Sequence, residues 1–183
     1  EKVFERLFNA KRPLILLGHG VKSSKINKIL KSFLEDNNIP ASLTWPMTDF
    51  FEFNNKLNAG RPGVVAKRSA NFIIQKADFI LSLGSRLDRI VTAFNPQNFG
   101  RNAEFFYCID IDNNELEKLP ERFIKIKADV RDFVESLVEN QNNFIKQKTN
   151  TWIKEISYLK DSYSEVELID NNEKLTCFEV VNE

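Results

Sequence analysis

Two glycine turns carry the residues whose types and spacing suit the binding of a nucleotide. Gly18-His19-Gly20 follows an apolar run and precedes a predicted helix, a position where backbone N–H groups can bind phosphate. The match to the pattern G-x-G-x-x-G is partial, because Ser23 stands where the third glycine would be. A tight turn without a ligand explains the motif equally well. His19 is the only histidine of the chain, and as a lone turn residue it is not predicted to be catalytic.

The second turn follows the apolar run Phe79–Leu83 and carries Arg86 and Asp88 after Gly84. An arginine at the end of a strand can bind phosphate or stack on an aromatic ring, because its guanidinium is planar and always charged. An ion pair between Arg86 and Asp88, or another nearby acid, is an equally good interpretation. The sequence leaves both interpretations open.

Three aspartates follow later strands. Asp112 and Glu115 match the D-x-x-E capping box of a short helix, so a metal site formed by Asp110 and Asp112 is not expected. Asp110 alone is better suited to bind ribose or adenine groups, as acids after such strands do in dinucleotide-binding folds. Asp129 is predicted to cap a helix first and to contact a ligand second.

Apolar strands and amphipathic helices alternate between these turns. The predicted strands are Pro13–Leu17, 39–44, Phe79–Leu83, Phe105–Asp110 and 123–126. Six helices are predicted, and the first covers residues 1–10. The second is capped by Ser23 or Ser24 and buries Ile26, Ile29, Leu30, Phe33 and Leu34. The others are residues 64–76, a short helix after Asp112, a helix from Val130 toward Phe144 and Ile145, and a helix around Trp152. Alternation of this kind predicts an α/β fold, a parallel Rossmann-like sheet with helices on both faces. The carboxyl ends of parallel strands meet at one edge, where such sheets bind ligands.

Composition excludes several classes of function. The 183 residues carry 26 basic and 26 acidic side chains, so no net charge attracts nucleic acid. No apolar run reaches the roughly 18 residues of a membrane span. Cys108 and Cys177 are too few for a zinc ribbon or a disulfide framework, and a cytoplasmic location is expected. We interpret the chain as a piece of a longer protein, with a central domain at 1–148 and a linker helix and the start of a further domain at 149–183.

Six segments, in this order, resemble one known family. They are RPLILLGHG (12–20), GVVAKRSAN (63–71), ADFILSLGSRLD (77–88), VTAF (91–94), CIDIDNNEL (108–116) and KADV (127–130). Together they are similar to the central domain of thiamine-diphosphate-dependent enzymes, and most similar to the acetolactate synthase group. The resemblance covers residues 11–139, and the ordered set is more specific than any single segment.

The resemblance implies a three-domain enzyme of which this chain is the middle part, with a sheet of about six strands. That domain holds FAD in acetolactate synthases, ADP in oxalyl-CoA decarboxylase-like members, and nothing in others. The full-length enzyme would be a homo-oligomer that uses thiamine diphosphate and magnesium to decarboxylate or join 2-oxo acids such as pyruvate. The Gly-Asp-Gly segment and the glutamate that serve the thiamine cofactor are absent from this sequence, so the fragment alone is not expected to be catalytic.

The resemblance also assigns cofactor-binding positions. It places the turn Gly18 to Gly20 near the pyrophosphate, Thr44 and Trp45 beside the site, and Gly63, Val64 and Val65 near the flavin. The ribityl and phosphate groups would be surrounded by Gly84, Ser85, Arg86, Leu87 and Asp88. The adenosine would be surrounded by Asp110, Ile111, Asp129 and Val130. Three departures from the family pattern, at His19, Trp45 and Ala66, could crowd a flavin. An empty scaffold domain is therefore one alternative, and a stand-alone nucleotide-dependent enzyme of related fold, such as an NAD-dependent deacylase, is a weaker one.

Overall fold

Five apolar segments form a parallel sheet in the computed structural model, which describes residues 2–52, 54–143 and 149–163. The strands are β1 (Pro13–Leu17), β2 (Ala41–Leu43), β3 (Phe79–Leu83), β4 (Phe105–Asp110) and β5 (Ile124–Lys127). Their order is β2-β1-β3-β4-β5, and all neighbouring pairs are parallel. Strands β1 and β3 are buried along their whole length, as expected for a sheet covered on both faces. The predicted α/β fold is confirmed.

A short segment at 57–60 occupies the place of a sixth strand. The N–H of Ala41 donates to Leu57, and the N–H of Ala59 donates back to the carbonyl of Ala41. The N–H of Leu43 donates to the carbonyl of Gly60 at 2.9 Å. This segment forms only one isolated parallel bridge, between Ala41 and Asn58, so the described residues contain five full strands where about six were expected.

Seven helices cover the two faces of the sheet in the described ranges. They are α1 (Lys2–Asn9), α2 (His19–Ser23), α3 (Asn27–Asn37), α4 (Arg68–Lys76), α5 (Asn113–Glu117), α6 (Val130–Asn140) and α7 (Asn150–Ser162), with single 3-10 turns at Trp45–Met47 and Gln141–Asn143. Helices α1, α3 and α6 bury their apolar side chains on one face, and α4, α5 and α7 bury theirs on the other. The fold therefore has three layers, and the connections after β1 and β2 pass over opposite faces. In sheets of this type, a change of face between two connections opens a ligand crevice, here at the carboxyl ends of β1 and β3.

Two predicted helix starts are wrong. Neither Ser23 nor Ser24 caps α3, because α2 runs to Ser23 and the left-handed residue Lys25 (φ 55°) separates the two helices. Ile29, predicted to be buried, is 45% exposed. The helix predicted over 64–76 begins only at Arg68, because the preceding residues form a loop bonded to another part of the chain.

The helix caps agree with the prediction in one case and only partly in another. Asp129 accepts a hydrogen bond from the N–H of Arg131 at 2.7 Å and caps α6. Asp112 caps α5 by accepting from Asn114, but Glu115 pairs with Lys118 instead of completing the capping box. The predicted continuation of α6 through Phe144 and Ile145 lies outside the described residues.

Helix α7 is fixed to the start of β1. Trp152 is 1% exposed, and its indole N–H donates to the carbonyl of Pro13 at 3.0 Å. One turn later, Glu155 accepts from Arg12 at 3.1 Å and from Lys76 at 2.8 Å. These contacts lock α7 against β1 and α4.

Cys108 lies in β4 and behaves as a small hydrophobic residue, as predicted. Its side chain is 2% exposed, and burial raises the pKa of the thiol above its usual range. Cys177 lies outside the described residues. Among the helices that the structure describes, none combines the length and apolar character that a membrane crossing requires.

Helix α1 is held by a charged contact that gives a testable prediction. The guanidinium of Arg6 lies 3.7 Å from the ring centroid of Phe105 and donates a hydrogen bond to the hydroxyl of Tyr107. Replacing Arg6 by methionine is expected to lower the free energy of unfolding by about 1–3 kcal/mol, because both contacts are lost. Urea denaturation measures the loss, with the exposed Lys2→Met on the same helix as the control. Equal stability of the two variants would mean that the apolar face of α1 alone anchors the helix.

Candidate functional site

The predicted site residues follow strands that end side by side. Gly18 comes directly after β1, Gly84 after β3, and Asp110 ends β4. The N–H of Gly18 donates to Leu83 at 2.9 Å, and the N–H of Gly84 donates to Ile109 at 2.8 Å. The carbonyl of Asp110 accepts from the residue before Asp129, so the end of β5 lies beside the end of β4. We call this edge of the sheet the carboxyl edge.

The first glycine turn packs directly on the second. A Cβ added at Gly18 would lie 2.1 Å from the carbonyl oxygen of Gly84, and one added at Gly20 would lie 2.7 Å from the Cα of Gly84. The N–H of Gly20 donates to the carbonyl of Gly84 at 3.0 Å. Because the amides of Gly18 and Gly20 both bond to the end of β3 or the turn after it, they are not available to a phosphate. Helix α2 is also too short, at five residues, to add a strong dipole.

The lysine of α2 is already paired with an acidic side chain. Lys22 in α2 forms an ion pair with Asp49, with 2.8 Å between the ammonium nitrogen and a carboxylate oxygen. The hydrogen bond from Lys22 lowers the pKa of Asp49 below its ordinary value. Both side chains face solvent, so the pair adds little stability. The first turn therefore offers a ligand neither the amides of Gly18 and Gly20 nor an unpaired lysine from α2.

The turn after β3 differs from the first turn because it presents an exposed arginine side chain. Asp88 accepts hydrogen bonds from Ile90 at 2.8 Å and from Val91 at 3.0 Å, so its carboxylate holds the loop backbone and does not pair with Arg86. The interpretation of Arg86 as an ion-pair partner of Asp88 is wrong. The Arg86 side chain is exposed, and within the described ranges it makes neither a hydrogen bond nor an ion pair. The flanking Ser85 and Leu87 are buried, so a ligand could reach their backbone but not their side chains.

A second loop is bonded to this turn. The N–H of Gly63 donates to the amide oxygen of Asn71, and the amide nitrogen of Asn71 donates back to the carbonyl of Gly63. The N–H of Val64 donates to the carbonyl of Ile90 at 3.0 Å. We call residues 60–67 and 84–94 the loop pair. These bonds tie the two loops to each other and to the segment around Asn71.

Apolar side chains of the loop pair face solvent. Val64 is 52% exposed, Val65 is 65% exposed, and Ile90 and Phe94 are at least half exposed. The loop pair also contains four cations, Arg61, Lys67, Arg86 and Arg89, against one acid, Asp88. Exposed apolar groups beside an excess of positive charge suit a ligand that combines a flat ring with phosphate.

The acids at the far side of the carboxyl edge are engaged with the backbone. Asp110 accepts from the N–H of Asp112 at 3.0 Å, while Asp112 and Asp129 cap α5 and α6. Ile111 is 64% exposed, whereas Val130 is buried in the core. No group of three or more His, Cys, Asp or Glu side chains suitable for a metal ion occurs among the residues that the structure describes.

The residues after β2 complete the carboxyl edge. Thr44 is buried, and its hydroxyl donates to the carbonyl of Leu17 at 2.8 Å. Trp45 is 48% exposed, and the guanidinium of Arg61 lies 5.0 Å from its ring centroid. Arg61 was not among the predicted site residues, because it lies in a stretch that the sequence shows only as irregular.

Only some of the predicted site residues present side chains that a ligand could contact. The end of β2 and the loop pair present exposed side chains, from Trp45, Val64, Val65 and Arg86. The glycine turn after β1 and the aspartates Asp112 and Asp129 use their polar groups within the fold. A ring and a phosphate fit the first group, whereas the amides of Gly18 and Gly20 are already bonded within the fold.

Comparison with known proteins gives a consistent result. The family model described as "Thiamine pyrophosphate enzyme, central domain" matches residues 1–137. The acetolactate synthase large subunit of Lactococcus lactis is 30% identical over 88% of this chain and 27% of its own length. The corresponding subunit of Cyanidium caldarium is 28% identical over 100% of the chain and 32% of its own length.

A relative with a different name aligns equally well. The 3D-(3,5/4)-trihydroxycyclohexane-1,2-dione hydrolase of Clostridium tetani is 30% identical over 92% of this chain and 27% of its own length. The chain therefore spans about a quarter to a third of these relatives. The residues matched by the family model include all five strands and the loop pair.

Proposed function

Because the chain belongs to the family of thiamine pyrophosphate enzyme central domains, we propose that it serves as the nucleotide-binding middle part of a larger enzyme. Membership of this family confirms the resemblance predicted from the sequence. The proposed ligand of the domain is FAD or ADP, bound at the carboxyl edge. The proposed parent is an acetolactate-synthase-type enzyme that acts on 2-oxo acids such as pyruvate.

One observation carries the nucleotide proposal: Arg86 is an unpaired, exposed cation on a preformed loop that also exposes apolar side chains. A guanidinium without a carboxylate partner suits a diphosphate, to which it can donate two parallel hydrogen bonds. The apolar side chains of Val64, Val65 and Phe94 offer contacts to a ring. The loop pair needs no rearrangement to present these groups, because Asp88 and Asn71 already fix its backbone.

The parent enzyme would supply the rest of the chemistry. Thiamine diphosphate and magnesium would supply the chemistry of the parent enzyme, and the groups that hold them would lie in domains outside this chain. We propose that the parent is a cytoplasmic homo-oligomer and that this domain spaces its catalytic domains. The purified chain, supplied with thiamine diphosphate, magnesium and pyruvate, is expected to release no product.

A scaffold without a nucleotide is the second candidate function. The contact between Gly20 and Gly84 favours it, because the amides that hold phosphate in many related turns are used within this fold. Calorimetric titration of the chain with ADP and with FAD separates the two functions. Binding heat for either supports the nucleotide-binding domain, and no heat for both supports the scaffold.

The role of Arg86 gives a direct prediction. Replacing Arg86 by alanine is expected to weaken binding of the diphosphate ligand by about 10- to 100-fold, the usual effect of losing a charge-assisted hydrogen bond. The melting temperature should stay nearly unchanged, because Arg86 has no partner among the described residues. Arg101→Ala, which removes an exposed arginine before β4, is the matched control and should leave binding unchanged. An equal loss of affinity in both variants would point to a nonspecific charge effect.

A further inference from the structure

We propose that residues 164–170 bind the surface on which α4 and α7 lie side by side. This surface is formed by the side chains of Arg68, Phe72, Lys160 and Tyr163, and we call it the α4–α7 surface. The bound segment belongs to the chain itself, so the inference does not depend on nucleotide binding. It specifies instead the path by which the chain leaves this domain.

Two aromatic rings in contact remain partly uncovered on this surface. Phe72 of α4 and Tyr163, which directly follows α7, stack with 4.6 Å between their ring centroids. Phe72 is nevertheless 42% exposed and Tyr163 is 37% exposed. Single exposed apolar side chains are ordinary, whereas adjoining ones mark an interaction surface. The two rings therefore provide an apolar area that a further segment can cover.

Cations surround the two rings. Arg68 lies one turn before Phe72 on the same face of α4, and it is exposed, without an ion pair among the described residues. On α7, the ammonium group of Lys160 donates to the carbonyl of Asn58 at 3.2 Å. Burial and the nearby charge of Lys67 lower the pKa of Lys160. A carboxylate beside Lys160 would oppose both effects, so the α4–α7 surface favours an acidic partner with apolar side chains.

The residues that follow α7 in the sequence have this composition. Residues 164–183 contain six acids and one lysine, a net charge of −5, and the whole chain is neutral, so residues 1–163 carry +5. The segment 164–170 reads SEVELID, with three acids, no base, and the apolar residues Val166, Leu168 and Ile169. The opposite charges attract this segment to the rest of the chain.

The contacts between α7 and α4 set the direction in which the chain continues. Glu155 pairs with Lys76 at 2.8 Å, and Tyr163, about two turns later, stacks on Phe72. The two helices therefore run in opposite directions, and the next exposed residue on this face of α4 is Arg68. At up to about 3.5 Å per residue, the acids two and four positions after Tyr163 can reach Arg68. Because the segment is attached beside the surface, its effective concentration there is high.

Disulfide cross-linking within the 183-residue chain tests the inference. The test variant carries Phe72→Cys, Leu168→Cys and Cys177→Ser, and the remaining cysteine, Cys108, is buried. These substitutions keep every charge of the surface and of the segment. Oxidised glutathione is added, and the disulfide is followed on non-reducing gels. A rapid cross-link within one chain is expected.

A matched control separates binding from mere proximity. In the control, Tyr158→Cys takes the place of Phe72→Cys, because Tyr158 is 69% exposed on α7 and lies five positions before Tyr163. A segment that binds neither position would reach both of them. The variant with Phe72→Cys is expected to cross-link about tenfold faster or more than the control, since binding raises the local concentration of the segment.

Proteolysis of the otherwise unaltered chain gives a second test that keeps Phe72. A glutamate-specific protease cleaves after Glu165 and Glu167, and mass spectrometry resolves the two products. Arg68→Ala is expected to speed these cleavages about two- to fivefold, the size expected of exposed ion pairs. Arg101→Ala, which removes an exposed arginine before β4, is the control and should leave both rates unchanged.

Three results would overturn the inference, whether or not the chain binds a nucleotide. The first is an equal rate of cross-linking in the variants with Phe72→Cys and Tyr158→Cys. The second is a cross-linked dimer whose yield rises with protein concentration, because the surface then binds a second copy of the chain. The third is cleavage after Glu165 and Glu167 that Arg68→Ala and Arg101→Ala change equally.

Discussion

Replacing Trp152 by alanine is expected to lower the free energy of unfolding by about 3–5 kcal/mol, the usual cost of removing a large buried aromatic side chain. The indole fills the space between α7 and the sheet, and its N–H satisfies the carbonyl of Pro13. The variant loses the packing and also leaves that buried carbonyl without its partner. A loss of this size is a large fraction of the stability of an ordinary domain.

Chemical denaturation monitored by far-UV circular dichroism measures this loss. Tyr158→Ala is the control, because it removes an aromatic ring from the same helix at a position that is 69% exposed. The control is expected to change the free energy of unfolding by about 0.5 kcal/mol or less. Comparable losses in both variants would show that α7 contributes to stability through its helical backbone and not through the buried indole.

Replacing Gly18 by alanine is expected to cost about 3 kcal/mol or more, and insoluble protein is an equally informative result. The added methyl group would lie 2.1 Å from the carbonyl oxygen of Gly84 and 2.4 Å from the Cα of Ser85. Both are backbone atoms, so no side chain can rotate away. The ends of β1 and β3 would have to separate, which breaks the bond between Gly20 and Gly84.

The neighbouring residue gives a matched control for this substitution. His19 lies in the same turn but is exposed, so His19→Ala is expected to leave thermal stability nearly unchanged. Thermal melts of the two variants, at equal concentration, provide the comparison. A small effect of Gly18→Ala would mean that the two turns separate easily, and then the amides of Gly18 and Gly20 could be released to a phosphate after all.

The strands were predictable because each is a short apolar run with a clear boundary. β1, β3 and β4 have the predicted limits, since a charged, proline or glycine residue stands at or near each end. The cap at Asp129 was predictable for a similar reason, because a helix start needs only a local carboxylate acceptor. Local signals of this kind do not depend on the rest of the fold.

The errors come from contacts between distant segments. The loop that delays α4 to Arg68 is held by Val64 bonding to Ile90, 26 positions away, and no local pattern shows that bond. The segment at 57–60 pairs with β2 although it has no continuous apolar run. The break between α2 and α3 depends on a left-handed lysine, Lys25, which the sequence does not distinguish from an ordinary helical residue.

The sequence predicted the position of the candidate site in the fold, but not the hydrogen bonds of its residues. Parallel strands must end at a common edge, so grouping Gly20, Arg86, Asp110 and Asp129 at one edge followed from the fold. The use of each polar group depended on its neighbours. The Gly20 amide bonds to Gly84, and the Asp88 carboxylate bonds to its own loop and not to the exposed Arg86. Trp45 and Arg61 are 16 positions apart, and only the structure shows that their side chains lie together.

The bond between Trp152 and Pro13 also bears on the order in which the protein is built. Its two partners are 139 positions apart, and β1 is an interior strand of the sheet. During synthesis the cover over this side of β1 is therefore completed only after α7 has left the ribosome, although α4 emerges much earlier. Leu14 and Leu16 on that face share one apolar cluster with α4 and α7, so a nascent chain that lacks α7 has an incomplete core on this side.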